Sequence, residues 1–130
     1  MKALIINTDY SLSEECDEGV IIFEINNNRY EALTLHNRFK EGQLVEVTFD
    51  GLSTGKQPIW DYRFRHNPNR LKKMINLGSN LYDGYGIIIQ INPIIADFGD
   101  IQLDIGNWSN DERLIGESIY WPEIHLNISK

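Results

Sequence analysis

The stretch with the most evident chemistry runs from Lys56 to His66, where three aromatic residues alternate with charged ones. Read as a strand, it places Trp60, Tyr62 and Phe64 on one face and the charged side chains on the other. Bases of single-stranded nucleic acid stack on such rings while Arg and Lys contact the phosphates. Alternating rings are also typical of a buried core face, so both interpretations stay open. The candidate nucleic-acid-binding residues are Trp60, Tyr62, Arg63, Phe64, Arg65, Lys72 and Lys73.

The charge of the chain favours a different partner. Its 12 basic and 19 acidic residues give a net charge of -7. Residues 1–50 hold 4 basic and 10 acidic residues and residues 81–130 hold 2 and 8, whereas residues 51–80 hold 6 and 1. Complementary charge steers protein association, so we expect a non-enzymatic protein that binds a basic protein, as an inhibitor or immunity-type protein binds a basic nuclease toxin. The candidate contacts are Glu14, Glu15, Asp17, Glu18, Asp100, Asp104, Asp111 and Glu112, with Trp108 as an apolar anchor.

Motifs for catalysis or metal binding are incomplete. Ser53 stands in a G-x-S-x-G pattern, but a strand pattern follows where a nucleophile elbow needs a helix, so a hairpin loop is the preferred interpretation. The histidines, His36, His66 and His125, lack the close spacing of structural zinc ligands. Cys16 lies among carboxylates, which disfavour a thiolate. We therefore expect no enzyme activity, no metal and no cofactor.

Runs of β-branched and aromatic residues between turn residues predict a strand-rich chain. Asn26-Asn27-Asn28 and Asp97-Phe98-Gly99 predict hairpin turns, because Asn and Gly tolerate positive φ. One short amphipathic helix is predicted over 69–77, with Asn69 as its cap. Pro122 predicts a sheet edge or a bulge beside Trp121. The predicted strands cover about 2–8, 19–26, 29–36, 43–50, 58–65, 85–96, 100–106 and 117–128.

These elements predict an all-β or β-rich α+β fold, a single domain over 1–130 formed by an antiparallel β-barrel with one short helix. The strand at 58–65, the helix at 69–77 and the strand at 85–92 resemble the OB-fold, in which a helix lies between the third and fourth strands of a small barrel. The resemblance implies an architecture only, and a β-sandwich is the alternative.

The compartment and the assembly are less constrained by the sequence. A lone Cys16 cannot form an internal disulfide and the first residues carry no signal-peptide pattern, so we expect a cytoplasmic protein, of bacterial origin by its Ile and Asn content. The apolar runs fall short of the roughly 20 residues that span a bilayer, so we expect no membrane partner. The oligomeric state and the partner's identity stay open.

Overall fold

The structure, a computed structural model, describes residues 1–53 and 59–130, the side chain of Ser53 excepted. The predictions for Ser53, for Lys56 and for the loop through residue 58 lie outside the described residues. The described part of the chain is rich in strands and has one short α-helix, which confirms the predicted β-rich class. The strands are β1 (Lys2–Ser13), β2 (Glu18–Ile25), β3 (Asn28–Thr34), β4 (Leu44–Glu46), β5 (Thr48–Ser53), β6 (Lys73–Gly78), β7 (Leu81–Gln90), β8 (Ile95–Asp97), β9 (Gln102–Asp104) and β10 (Ser118–Ser129); the helices are α1 (Trp60–Arg65) and a 3₁₀ turn (Glu112–Leu114).

One compact unit comprises residues 1–50 and 126–130. Its strands follow the order β4-β1-β2-β3, and these pairs are antiparallel. Every second residue of β2 is buried, as period-two alternation requires of a strand with one core face. The Asn26-Asn27 turn joins β2 to β3 with φ values of 51° and 65°, which confirms the predicted hairpin. The end of β10 lies beside β3 in a parallel pairing, with Asn127 opposite Leu33.

The second compact unit comprises residues 51–125 and is organised around β7. Antiparallel partners of β7 are β6, β8 and β10, and β9 pairs with β8. Trp121 lies opposite Gly84 but Ile124 lies opposite Tyr82, so the residues at Pro122 form the predicted bulge. The largest of its fully buried side chains are Tyr82, Ile88, Ile94, Phe98, Ile101, Leu103, Ile119 and Ile124.

The predicted strand at 58–65 and the predicted helix at 69–77 are both wrong. Residues 60–65 form α1, and residues 73–78 form β6, which pairs with β7. Arg70 has a φ of 54°, a left-handed conformation that interrupts a right-handed helix. The amide and carbonyl oxygen of Asn67 both bond the backbone of Leu71, which folds residues 67–71 into a turn. Side-chain alternation therefore wrongly predicts a strand at 58–65, and the capping signal at Asn69 wrongly predicts a helix at 69–77.

The barrel prediction is also wrong, because the strand pairings leave open ends. Among the described residues, β4 pairs with β1 alone in the first unit, and β9 pairs with β8 alone in the second. Closure of a barrel requires every strand to have two neighbours. Two of the three elements that carried the OB-fold resemblance are those corrected above. The parallel pairing of β10 with β3 likewise departs from an all-antiparallel sheet.

The prediction of a single domain over 1–130 stays a prediction, as does the β-sandwich alternative. In the described part of the chain, the helices are too short and too polar to cross a membrane.

Candidate partner-binding surface

Helix α1 is stabilised by side-chain pairs four residues apart. Residues at this spacing are neighbours on a helix, whereas a strand would hold them about 13 Å apart. One pair is ionic and two are aromatic, which explains why the segment is helical despite its strand-like alternation. The pairs are Asp61 with Arg65 (Oδ1 to Nε 2.9 Å), Trp60 with Phe64 (ring centroids 6.4 Å apart) and Tyr62 with His66 (4.5 Å).

The rings of α1 belong to a larger group that we call the aromatic cluster. It draws on α1, on the loop after β9, and on strands β7 and β10, all within the second unit. Contacts between rings connect its members in two groups of four, one with the tryptophans and Phe64 and the other with the tyrosines and His66. The cluster comprises Trp60, Tyr62, Phe64, His66, Tyr85, Trp108, Tyr120 and Trp121.

The three tryptophans of the chain lie in one half of the aromatic cluster. The Trp60 ring centroid is 4.4 Å from that of Trp108 and 6.3 Å from that of Trp121. Trp108 and Trp121 are nearly parallel, at 14° and 6.1 Å. The Trp108 indole donates a hydrogen bond to the carbonyl oxygen of Ile105 at 3.1 Å, which orients its ring. Trp121 is buried, Trp108 is half-buried and Trp60 is 38% exposed, so Trp60 is the accessible member of a supported group.

Tyrosine and histidine rings form the other half of the aromatic cluster. Tyr62 stacks on His66, and both contact Tyr120, at centroid distances of 5.8 and 4.6 Å. Tyr85 lies 5.1 Å from Tyr120 and 6.4 Å from His66. Tyr120 is buried beneath these rings, whereas Tyr62 is 50% exposed. The exposed face is therefore supported from below by a buried ring.

A hydrogen bond fixes the orientation of Tyr120. Its hydroxyl donates to Asp83 Oδ2 at 3.0 Å, and Asp83 Oδ1 accepts from the backbone N–H of Glu123 at 3.2 Å. Burial, followed by this hydrogen bond and the charge of Asp83, raises the pKa of Tyr120. The phenol thus stays protonated and acts as a donor that ties β10 to β7.

Arg63 is the buried charge of the aromatic cluster. Its Cζ lies 4.1 Å from the centroid of the Trp121 ring, in cation–π geometry, and the side chain is 8% exposed. Burial lowers the pKa of Arg63, while Tyr120 and Glu123 act in the opposite sense. Its Nη1 has no hydrogen-bond partner among the described residues. A ring face therefore offsets part of the cost of burying this guanidinium.

An open groove of about 370 Å³ lies beside α1. Phe64 and Leu114 give it an apolar floor, and Asp111, Arg113 and Glu117 line its sides. Asp111 caps the 3₁₀ turn and accepts hydrogen bonds from the backbone N, the Nε and the Nη2 of Arg113. These bonds lower the pKa of Asp111 to about 2. The loop thus presents an ordered, charged border to an apolar floor.

The acidic residues predicted as partner contacts are divided between the two units. In the first, Glu14 and Asp17 share Arg38, at 3.4 and 3.2 Å, so half of this group is already paired. Glu15 is exposed and Glu18 is half-buried at the start of β2. The β1–β2 hairpin therefore offers less free negative charge than its sequence suggests.

In the second unit, the predicted acidic contacts occupy turns beside the shortest strands. Asp104 is exposed at the end of β9 and accepts a hydrogen bond from the Gly106 N–H at 2.8 Å, while Asp100 is half-buried before β9. Glu112 is exposed in the 3₁₀ turn next to Asp111. Trp108, expected as an anchor among these acids, lies in the aromatic cluster instead.

The residues predicted to bind nucleic acid lie closer together than the predicted acidic contacts do. Five of them lie on α1, and the expectation of rings and arginines on opposite faces of a strand is wrong because Arg63 packs among the rings. Lys73, the first residue of β6, holds its Nζ 5.7 Å from the Tyr85 ring centroid. Lys72 instead pairs with Asp97 at 3.3 Å and Arg65 with Asp61.

The predicted site residues omit four members of the aromatic cluster, namely His66, Tyr85, Tyr120 and Trp121, and also the supporting residue Asn67. The spacing of Tyr62 and His66, four residues apart beside the similarly spaced Asp61 and Arg65, is a helix signal that could have found one of them. No local pattern identifies Tyr85 or Tyr120, because they reach α1 through strand pairing.

Within residues 1–53 and 59–130, no group of three or more His, Cys, Asp or Glu side chains could hold a metal ion. Comparisons with protein-family models, with curated proteins and with solved structures find no match to this chain.

Proposed function

We propose that this chain is a non-enzymatic binding protein for a basic protein, and that the aromatic cluster anchors the complex. The observation that carries this proposal is the exposure of Trp60 and Tyr62 above rings that are themselves buried. Trp, Tyr and Arg are the residue types enriched at interface hot spots. Rings already held by their neighbours lose little conformational entropy on binding, so more of their contact energy is available for affinity.

The groove beside α1 supports the basic character of the partner. An aliphatic stem from Lys or Arg can lie on Phe64 and Leu114 while its charged head meets Glu117, which forms no ion pair with the described residues. A cation can also lie over Trp60 or Tyr62. The 10 acidic and 4 basic residues of 1–50 add long-range attraction for the same partner. We also propose the cytoplasm as the compartment, because the free thiol of Cys16 is exposed.

Affinity capture from the native host, with this chain as bait, tests the proposal. Trp60→Ala and Tyr62→Ala are the test variants, and Leu77→Ala is the matched control because Leu77 is an exposed apolar residue outside the aromatic cluster. We expect a basic protein to be captured by the wild type and the control, and to be lost from both test variants.

Titration of the purified partner then gives the magnitude. All 3 tryptophans belong to the aromatic cluster, so their fluorescence reports binding directly. We expect each test variant to raise Kd at least about tenfold, or about 1.4 kcal/mol, because truncation of a hot-spot residue costs about 2 kcal/mol or more. Equal affinity of the wild type and both variants would refute the proposed surface, and an acidic captured protein would refute the partner class.

A second candidate, binding of single-stranded nucleic acid, is favoured by one observation. Lys73 lies near Tyr85, and the exposed rings of Tyr62 and His66 stack, so a cation and stacking rings share one face. Anisotropy with labelled oligonucleotides at low salt tests it, with Lys73→Ala against Lys40→Ala as control. We expect weak binding whose affinity falls steeply with salt concentration. Lys73→Ala should lose this binding, whereas Lys40→Ala should keep it. No signal at micromolar protein excludes this candidate.

A further inference from the structure

A pocket of about 340 Å³ lies in the first unit, whereas the groove described above belongs to the second. It is formed where four strands end or pass: the start of β2, the end of β3, the middle of β5 and the end of β10. Its volume is at the small end of the range of about 300–1,000 Å³ typical of ligand pockets. The lining residues are Glu18, Leu33, Thr34, Leu35, Asp50, Asn127, Ile128 and Ser129.

Two carboxylates give the pocket its charge. Asp50 accepts a hydrogen bond from the Asn127 amide at 2.9 Å through Oδ1, and this bond leaves its second oxygen available. Among the described residues, neither Glu18 nor Asp50 lies within ion-pair distance of a cation; the ion pairs of this unit involve Glu14, Asp17, Glu24 and Glu46. A pocket with two unneutralised carboxylates attracts a cation.

Thr34 provides an independent indication of a ligand. It lines the pocket, is 3% exposed, and its hydroxyl oxygen has no hydrogen-bond partner among the described residues. A buried polar group without a partner destabilises the folded state, so such groups are rare in folded proteins. A ligand with N–H donors would supply the missing bond.

The remaining walls determine the kind of cation. Leu33, Leu35 and Ile128 are apolar, which suits a methylene chain and does not suit a hydrated metal ion. Carboxylate, hydroxyl and amide oxygens together match the three donors of an ammonium group. We propose that this pocket binds an alkylammonium group on an aliphatic stem, presented by a free diamine or by a lysine side chain. The inference does not depend on the proposed function, because the aromatic cluster lies in the other unit.

Calorimetry and amide chemical-shift mapping at low salt test the pocket. The probes are 1,5-diaminopentane and a short peptide with one lysine, each raised to about 10 mM so that a Kd near 1 mM is detected. We expect shifts in residues 33–35 and 127–129. Glu18→Gln and Asp50→Asn should each weaken binding about 5- to 10-fold, as expected when a charged partner is removed. Glu15→Gln, with the same charge change on the same hairpin, should leave Kd unchanged.

Thr34→Val should weaken binding, because it replaces the hydroxyl group with a methyl group of similar size. If that variant fails to fold, Glu18→Gln decides alone because Glu18 is only half-buried. Binding of the diamine indicates a free ligand, and binding of the peptide alone indicates a lysine of a protein. Lack of binding by both probes, or binding that Glu18→Gln and Asp50→Asn leave unchanged, overturns the inference. Trp60→Ala should not alter this binding, so failure here is distinct from failure of the proposed function.

Discussion

Asn67 holds the chain segment that leaves α1, and its substitution tests how the aromatic cluster is supported. The residue is 1% exposed. Its Nδ2 donates to Leu71 O at 3.0 Å and approaches Gly86 O and Ile119 O at 3.3 and 3.4 Å, and its Oδ1 accepts from Leu71 N at 2.8 Å. Gly86 and Ile119 are paired across β7 and β10, so one side chain fastens the segment to both strands.

The expected loss follows from these bonds. The two short bonds to Leu71 contribute about 1 kcal/mol each, and the buried groups left without a partner add about 1–2 kcal/mol. We expect Asn67→Ala to lower the free energy of unfolding by about 2–4 kcal/mol. Asn67→Asp keeps the acceptor but loses the donor and brings a buried carboxylate towards carbonyl oxygens, so its loss at neutral pH should be at least as large.

Urea unfolding measures both variants, with far-UV circular dichroism for the strands and tryptophan emission for the aromatic cluster. Asn69→Ala, an exposed asparagine two residues away, is the control and should change stability by less than about 0.5 kcal/mol. A loss below about 1 kcal/mol for Asn67→Ala, with an unchanged dependence on urea, would refute the reasoning, because a single hydrogen bond then accounts for the whole effect.

Three further predictions concern packing, pH and the buried charge. Gly84→Ala places a Cβ 2.6 Å from Phe98 Cε1 and 2.9 Å from Ile124 Cδ1, so we expect a loss of about 1–3 kcal/mol in thermal unfolding; an unchanged Tm would contradict this packing. Arg113→Gln should return the pKa of Asp111 from about 2 towards 3.8, measured by carboxyl NMR, and a pKa that stays near 2 would contradict the cause given above. Because that pKa is lowered on folding, its contribution to stability is present above pH 3.8 and is lost as the pH falls through 2. Arg63→Met keeps the length of a buried side chain without its charge, so chemical denaturation should show stability within about 1 kcal/mol of the wild type; a loss above about 3 kcal/mol would indicate a partner for this guanidinium.

Strand content and the principal turns can be predicted from local patterns. Alternation along β2 and the Asn26-Asn27 turn specify a hairpin within a few residues, because side-chain direction and positive φ are local properties. The bulge at Pro122 follows from the missing N–H of proline. The same alternation fails at 60–65, where partners four residues apart stabilise a helix.

The candidate site can be predicted only in part. The residue types of α1 indicate aromatic and cationic chemistry by themselves, and the position of Trp108 in a polar loop indicates a candidate anchor. Local patterns do not reveal that Trp108 packs against Trp60 and Trp121, because contacts between residues so far apart in sequence depend on how distant strands pair. For the predicted acidic contacts, the sequence overstates the free charge. Glu14 and Asp17 both pair with Arg38, which is more than twenty residues away in the chain and neutralises much of their charge.

The sequence by itself therefore determined the β-rich class, the hairpin turns and the uneven distribution of charge, since each depends on residues near one another in the chain. Only the tertiary structure decided that the sheet ends are open, that β10 lies parallel to β3, and that a buried arginine packs on Trp121 within a set of eight rings. The physical reason is the range of the interactions: φ, pleat and helix spacing act over one to four residues, whereas the aromatic cluster and the pocket at Thr34 join residues from strands far apart in sequence.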